Sequence, residues 1–156
     1  FTAGVKSLTS IGLTANSWHQ TKDYCSMNRH PIELLIEKAD CAINQEDFDT
    51  LIQIYSDDAV LVVKPGMNAT GRIQIRKAFE AIAAHFNHKL EVKQAGIRIL
   101  ETEDTALVLA NTVVSTPDMT PTSRSATYVF KKNPDGDWCC AIDNSYGHEL
   151  LSHDNA

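Results

Sequence analysis

Apolar positions along the chain change their period once, and that change separates a helical stretch from a strand-rich one. From Pro31 onward Ile32, Leu35, Ile36, Ala39, Ala42 and Ile43 recur at helical spacing and predict one amphipathic helix. Asn28, Pro31 at a first-turn position and Glu33 behind it supply its start signal. Asp47 can cap a second, short helix whose apolar face is Phe48, Leu51, Ile52 and Tyr55. Ser56-Asp57-Asp58 stops it, and the β-branched run 59–64 reads as a strand ended by Pro65-Gly66. Gly71 then opens a third helix with Ile75, Phe79, Ile82 and Phe86 on one side.

After Asn87 the period falls to two. Residues 90–100, 105–115, 124–132 and 138–144 read as four long strands. Glu101-Thr-Glu-Asp104 and Asn133-Pro-Asp-Gly-Asp137 are turn sequences, the second a strong hairpin signal, while 116–123, with Pro117 and Pro121, reads as a longer loop. Gln94-Ala95-Gly96 breaks the alternation and predicts a bulge that bends its strand. Three helices followed by a mostly antiparallel sheet make an α+β fold, with the helices on the concave face and a funnel between the layers.

Composition narrows the class. The chain has 156 residues, 14 Lys+Arg against 20 Asp+Glu, and a net charge of −6. With no basic cluster, nucleic acid is not an expected partner. No apolar run approaches the ~20 residues of a membrane span, so no membrane association is expected either. The four cysteines (Cys25, Cys41, Cys139, Cys140) include no Cys-x-x-Cys pair and are expected to stay reduced. Residues 1–26 carry only three charges and no sustained period. They are expected to be an extension, with a single domain covering 27–156. The sequon Asn68-Ala69-Thr70 is taken as chance, and a cytoplasmic location is expected.

Three motifs carry a family resemblance: Phe48-Asp-Thr-Leu-Ile-Gln-Ile-Tyr-Ser-Asp-Asp-Ala59, Gly71-Arg-Ile-Gln-Ile75 and Asp135-Gly-Asp-Trp138. Together they resemble the SnoaL-like branch of the nuclear transport factor 2-like superfamily over residues 31–151. The resemblance implies a cone-shaped, cystatin-like α+β barrel, commonly a homodimer, with an interior pocket. Members include ketosteroid isomerases, polyketide cyclases, epoxide hydrolases, dehydratases and kinase association domains, so fold is better specified than function. Ketosteroid isomerase-like members carry an Asp base on the first strand, where this chain has Val60-Leu61-Val62-Val63. The Tyr that polarises the steroid carbonyl falls near Ala39 or Cys41. Steroid isomerisation by that constellation is therefore not expected, and the Asp-Arg-Asp set of limonene epoxide hydrolases has no counterpart.

Strand alternation gives a first map of the funnel. Trp138, Cys140 and Ile142 should face the helices and carry Asn144 inward with them. Leu107, Leu109, Asn111 and Val113 share a face, which places Asn111 among apolar neighbours, and Tyr128 joins Ala126 and Phe130. Tyr55 would enter from the second helix. Asp143 is the candidate acid or base: regular alternation points it outward, but one bulge would turn it inward, where burial raises its pKa. Arg98 and Lys64 could hold a carboxylate or an oxyanion. His85 and His88 lack a third ligand, and no phosphate loop, dinucleotide fingerprint or nucleophile elbow is present, so neither metal nor cofactor is expected. The expected occupant is a small apolar organic ligand bearing a carbonyl or hydroxyl. The expected chemistry is that of an isomerase, cyclase or lyase. A ligand carrier and a non-catalytic association module, which would use the outer sheet face, are the alternatives.

Overall fold

The computed structural model describes residues 28–152; the predicted extension at 1–26 and Cys25 lie outside the described residues. Helix α1 (Pro31–Gln45) and helix α2 (Phe48–Gln53) lead into strand β1 (Tyr55–Lys64) and the short strand β2 (Met67–Thr70). Helix α3 (Gly71–His85) follows. Strands β3 (Glu91–Glu101), β4 (Thr105–Thr116), β5 (Met119–Lys132) and β6 (Trp138–Asn144) come next, and a 3-10 helix (Gly147–Ser152) ends the described chain. The strands form one sheet in the order β2-β1-β6-β5-β4-β3, antiparallel except for the β1/β6 pair. This is the expected α+β architecture.

The local signals account for the element ends. Asp47 caps α2, its side chain accepting from the Thr50 amide at 3.2 Å. Gly71 has φ +80° and starts α3 where an added Cβ would stand 3.4 Å from the Asp57 carbonyl oxygen. Both the Asp-Asp-Ala and the Gly-x-x-x-Ile motifs thus meet at one crowded corner.

Two expectations are corrected. Residues 116–123 are not a long loop, because β4 and β5 run on to a tight turn in which Thr116 pairs with Met119. Pro121 is tolerated because pairing between β5 and β6 starts only at Thr127, leaving that stretch with a neighbour on one side. Tyr55 is not on helix two either: α2 stops at Gln53 and Tyr55 opens β1.

The core lies between the helices and one face of the sheet. It holds Ile32 and Ile36 from α1, Leu51 from α2, Ile75 and Phe79 from α3, and Ala106, Val108, Ala110, Ala126 and Phe130 from the sheet. Three of these five sheet residues are alanine, which leaves space under the helices. No helix among the described residues is long and apolar enough to cross a membrane.

Candidate active site

That space is a cavity of about 570 Å³ between α1, α3 and the sheet, within the range usual for small-molecule sites. Leu35, Ile36, Ala39 and Ile43 line it from α1, Phe79 and Ile82 from α3, and Leu61 and Val62 from β1. Into this apolar lining project Asp40, Tyr55, Thr112, Tyr128 and Asp143. Lys64, His85, Arg124, Ser145 and Tyr146 also border it.

Asp143 owes its inward position to a bulge in β6. Phe130 pairs with Cys140, Val129 with Ile142 and Tyr128 with Asp143, so Ala141 is an extra residue. The alternation is re-phased there: Cys140 is buried inward, Ile142 turns out to 43% exposure, and Asp143 stands beside the buried Tyr128. Tyr55 Oη donates to Asp143 Oδ2 at 2.5 Å. Burial raises the Asp143 pKa from 3.8 to about 6, against the opposing pull of the Tyr55 hydroxyl. Burial together with the neighbouring Asp143 charge pushes the Tyr55 phenol well above its ordinary range. Arg72 fixes Tyr55 from behind, its Nε and Nη2 donating to the Tyr55 carbonyl at 3.0 and 2.8 Å.

A second polar arm enters from the other side. Asp40 Oδ2 and Oδ1 accept from Gln94 Nε2 at 3.1 and 3.3 Å, and Gln94 Oε1 accepts from Thr112 Oγ1 at 3.0 Å. Thr112 Oγ1 lies 3.0 Å from Tyr128 Oη. The Asp40 pKa is raised from 3.8 to about 6, first by burial and then by the negative charges of Asp143 and Glu37, while the Gln94 hydrogen bond opposes the rise. Burial raises the Tyr128 phenol pKa above its ordinary value.

Of the residues singled out from sequence, Tyr55, Tyr128 and Asp143 come together in the cavity, and Lys64 and His85 border it. Asn111, Asn144, Trp138 and Arg98 do not line it. Asn111 lies on the opposite face of β4, with Leu107 and Leu109, because the inward set is Ala106, Val108, Ala110, Thr112 and Val114. The bulkier set was expected inside, but the inward set is the smaller one, and its alanines leave room for the cavity. Arg98 pairs with Leu109 in register and sits on that same outer face, in a shallow groove with Asn111 and His148. Asn144 builds a turn instead of lining the cavity: Nδ2 donates to Thr127 Oγ1 at 3.1 Å and to the Gly147 carbonyl at 3.2 Å, and Oδ1 accepts from the Tyr146 amide at 3.1 Å. Trp138 packs against the edge of the core under Lys132, whose Nζ is 5.0 Å from the ring centroid.

Asp40, Gln94 and Thr112 were missed. A signal for Asp40 existed, because it stands at helical spacing between Ile36 and Ile43 on the apolar stripe. A carboxylate in such a stripe is either paired or perturbed.

Cys41, Cys139 and Cys140 are free thiols. Among the described residues no three His, Cys, Asp or Glu side chains cluster as metal ligands. His88 instead meets Glu46, with Nδ1 2.8 Å from Oε1.

The SnoaL-like domain family model matches residues 32–141, which spans α1 through the β6 bulge. The chain belongs to the SnoaL-like family. Solved structures share the fold of this SnoaL-like domain at low identity. A nuclear transport factor 2-like protein with a cystatin-like fold from Novosphingobium aromaticivorans is 18% identical, with a TM-score of 0.64 over 90% of this chain and 99% of that one. A candidate dehydratase of the same superfamily from Streptomyces avermitilis is 21% identical, with a TM-score of 0.55 over 72% and 91% of the two chains. ActVI-ORFA from Streptomyces coelicolor is 15% identical, with a TM-score of 0.59 over 72% and 91%. No curated protein sequence matches the SnoaL-like chain significantly. These likenesses show the fold and leave the chemistry to the residues of the cavity.

Proposed function

We propose that the cavity binds a small, largely apolar organic molecule bearing a carbonyl or hydroxyl, and that Asp143 moves a proton on it in a reaction of isomerase, cyclase or lyase type. The observation that carries this reading is a carboxylate raised to about 6 inside an apolar cavity, with one oxygen held by a buried tyrosine. At neutral pH such a group is mostly ionised yet basic enough to accept a proton, which is the compromise general-base catalysis requires. Oδ2 is engaged by Tyr55. Oδ1 then takes a proton from carbon or oxygen of the bound molecule, and the neutral acid returns it at another position. Tyr55 steadies the charged form, and its raised pKa keeps its own proton in place.

Proton abstraction next to a carbonyl is the most general version of this step. In deuterated buffer the protein should accelerate α-hydrogen exchange of bicyclic ketones, 2-tetralone first, as read by proton NMR. Asp143→Asn should lower that acceleration about 100-fold or more. Equal exchange by the native chain and the variant would sink the assignment of Asp143.

A second reading, an association module, has its own observation. Leu100, Leu107, Leu109 and Ile142 are 57, 39, 43 and 43% exposed on the outer sheet face. Register places Leu100 beside Leu107, and Leu107 beside Val129, which pairs with Ile142. A second copy of this chain would cover that strip. Sedimentation velocity distinguishes the outcomes: a dimer that Leu109→Asp dissociates supports a homodimer around an intact cavity, a larger ring favours the assembly role, and a monomer removes both.

A further inference from the structure

The arm from Asp40 to Tyr128 has only one consistent direction of hydrogen bonding at a time. An ionised Asp40 only accepts, so Gln94 turns Nε2 toward it and presents Oε1 to Thr112. The single Thr112 hydroxyl hydrogen then goes to Gln94, and Tyr128 Oη must donate to Thr112. In that state Tyr128 has only lone pairs left for the cavity. A neutral Asp40 can instead donate to Gln94 Oε1 with the amide turned over. Nε2 then donates to Thr112, Thr112 donates to Tyr128, and the phenol hydrogen is free to point at a ligand. Thr112 is 3% and Tyr128 8% exposed, so the link between them is shielded from bulk water, while Asp40 and Gln94 are half-buried. With each hydrogen committed to one acceptor along the arm, the links reverse together.

We propose that Asp40, Gln94, Thr112 and Tyr128 form a reversible hydrogen-bond relay, in which the protonation of Asp40 decides whether Tyr128 offers the cavity a donor or an acceptor. Asp40 is a positioning residue here, acting through two others, and Tyr128 is the group that meets the ligand. This deepens the preceding reading, because it rests on the same cavity holding the ligand. It also names a specificity: a carbonyl is favoured when Asp40 is neutral, and a hydroxyl when it is charged. Asp40 is faced by Glu37 on its own helix, Gln94 on β3, Tyr128 on β5 and Asp143 on β6, while His85 of α3, Lys64 of β1 and Arg124 of β5 border the same cavity. Burial and the two neighbouring carboxylates bring its titration to about pH 6, where the relay would switch.

Asp143 lies beside Tyr128 and titrates in the same range, so the test uses Asp143→Asn as background. With tyrosine labelled at Cζ, the Tyr128 signal is identified by its loss in Tyr128→Phe and followed by carbon NMR from pH 4.5 to 8 without ligand. The relay predicts a chemical-shift change whose midpoint falls below about pH 6 in this background, because the Asp143 charge that helps to raise Asp40 is gone. Adding Asp40→Asn should flatten the curve. So should adding Thr112→Val, which leaves Asp40 to titrate but cuts the chain. Gln94→Leu cuts it at the next link and serves if the valine variant does not fold. A flat curve in the background protein overturns the relay. So does a full-sized titration in both cut chains, since Asp40 would then act on Tyr128 through its field alone.

Binding of 2-acetonaphthone, a pure acceptor, should be about fivefold tighter at pH 5 than at pH 7.5, one added hydrogen bond being a change of that order. A relay signal without ketone binding keeps the relay and rejects the proposed occupant. Ketone binding with a flat curve does the reverse.

Discussion

Replacing Asp143 by Asn should stabilise the protein at pH 8. The substitution keeps the side-chain shape, and the amide oxygen can still accept from Tyr55 Oη. It removes the cost of holding a charge in the cavity. A carboxyl raised from 3.8 to about 6 represents about 3 kcal/mol, at about 1.4 kcal/mol per pH unit. Because the folded state binds this proton more tightly than the unfolded chain, the stability linked to it is complete below pH 3.8 and lost as pH rises through about 6. The native chain forfeits that amount by pH 8 and the variant does not. Asp143 is only partly buried, so solvent reached through the cavity reduces the gain to about 2–3 kcal/mol. At pH 4.5, with the folded carboxyl neutral and the unfolded one mostly ionised, the difference shrinks to about 1 kcal/mol. Urea unfolding of both proteins at the two pH values reads it directly, and at pH 8 the melting temperature should rise by about 4–12 °C. A variant no more stable than the native chain at pH 8 would refute the reasoning. The carboxylate would then be fully compensated where it sits, and its use as a base would lose its physical ground.

Two other perturbations test how the site is held. Arg72→Met keeps an unbranched apolar stem but leaves the Tyr55 carbonyl without its two guanidinium donors, which should cost about 1–3 kcal/mol in urea unfolding. The ion pair of Arg72 with Asp57 at 3.3 Å should add little, since Asp57 is 93% exposed, and Asp57→Asn should be nearly silent in the same measurement. Gly147→Ala would place a Cβ 2.2 Å from the Ser125 carbonyl oxygen at a φ of +54°, so the 3-10 helix must shift off β5. A loss of about 1–3 kcal/mol, with faster amide exchange at Glu149, is expected.

How far the site could be read from sequence differs between its two sides. Helices with a wide apolar stripe declare their inner face, and α1 did so down to Asp40, whose spacing marked it even though its role was overlooked. Strand β4 declares nothing, because Leu107 and Leu109 are as apolar as Val108 and Ala110. Which set lies inside depends on how closely the helices approach, a property of tertiary packing that alternation does not contain. Side-chain bulk favours the leucines, which puts Asn111 inward and Thr112 outward, and each lies on the other side. Asn144 failed for a different reason. It is the last residue of β6, and a strand-end Asn serves the following turn as readily as a face of the sheet.

The two bulges explain how Gln94 and Asp143 come to face inward. In β3, Val92 and Gln94 face in before Ala95 and Ile97 and Ile99 face in after it. With the downstream isoleucines held inside, regular alternation would turn Gln94 to solvent and cut the arm from Asp40 to Tyr128. In β6 the extra residue Ala141 does the same for Asp143, which regular alternation from Cys140 would have turned out, away from Tyr55. Each arm therefore enters the cavity because one added residue re-phases its strand. The first bulge is readable because apolar residues anchor the pattern on both sides of it. The second is not, because past Ala141 the only inward residue of β6 is the carboxylate itself. A strand whose apolar phase ends on a lone Asp, two residues past an Ala, therefore warrants the opposite default: the acid is placed inside and tested for a partner, as Tyr55 proves to be here.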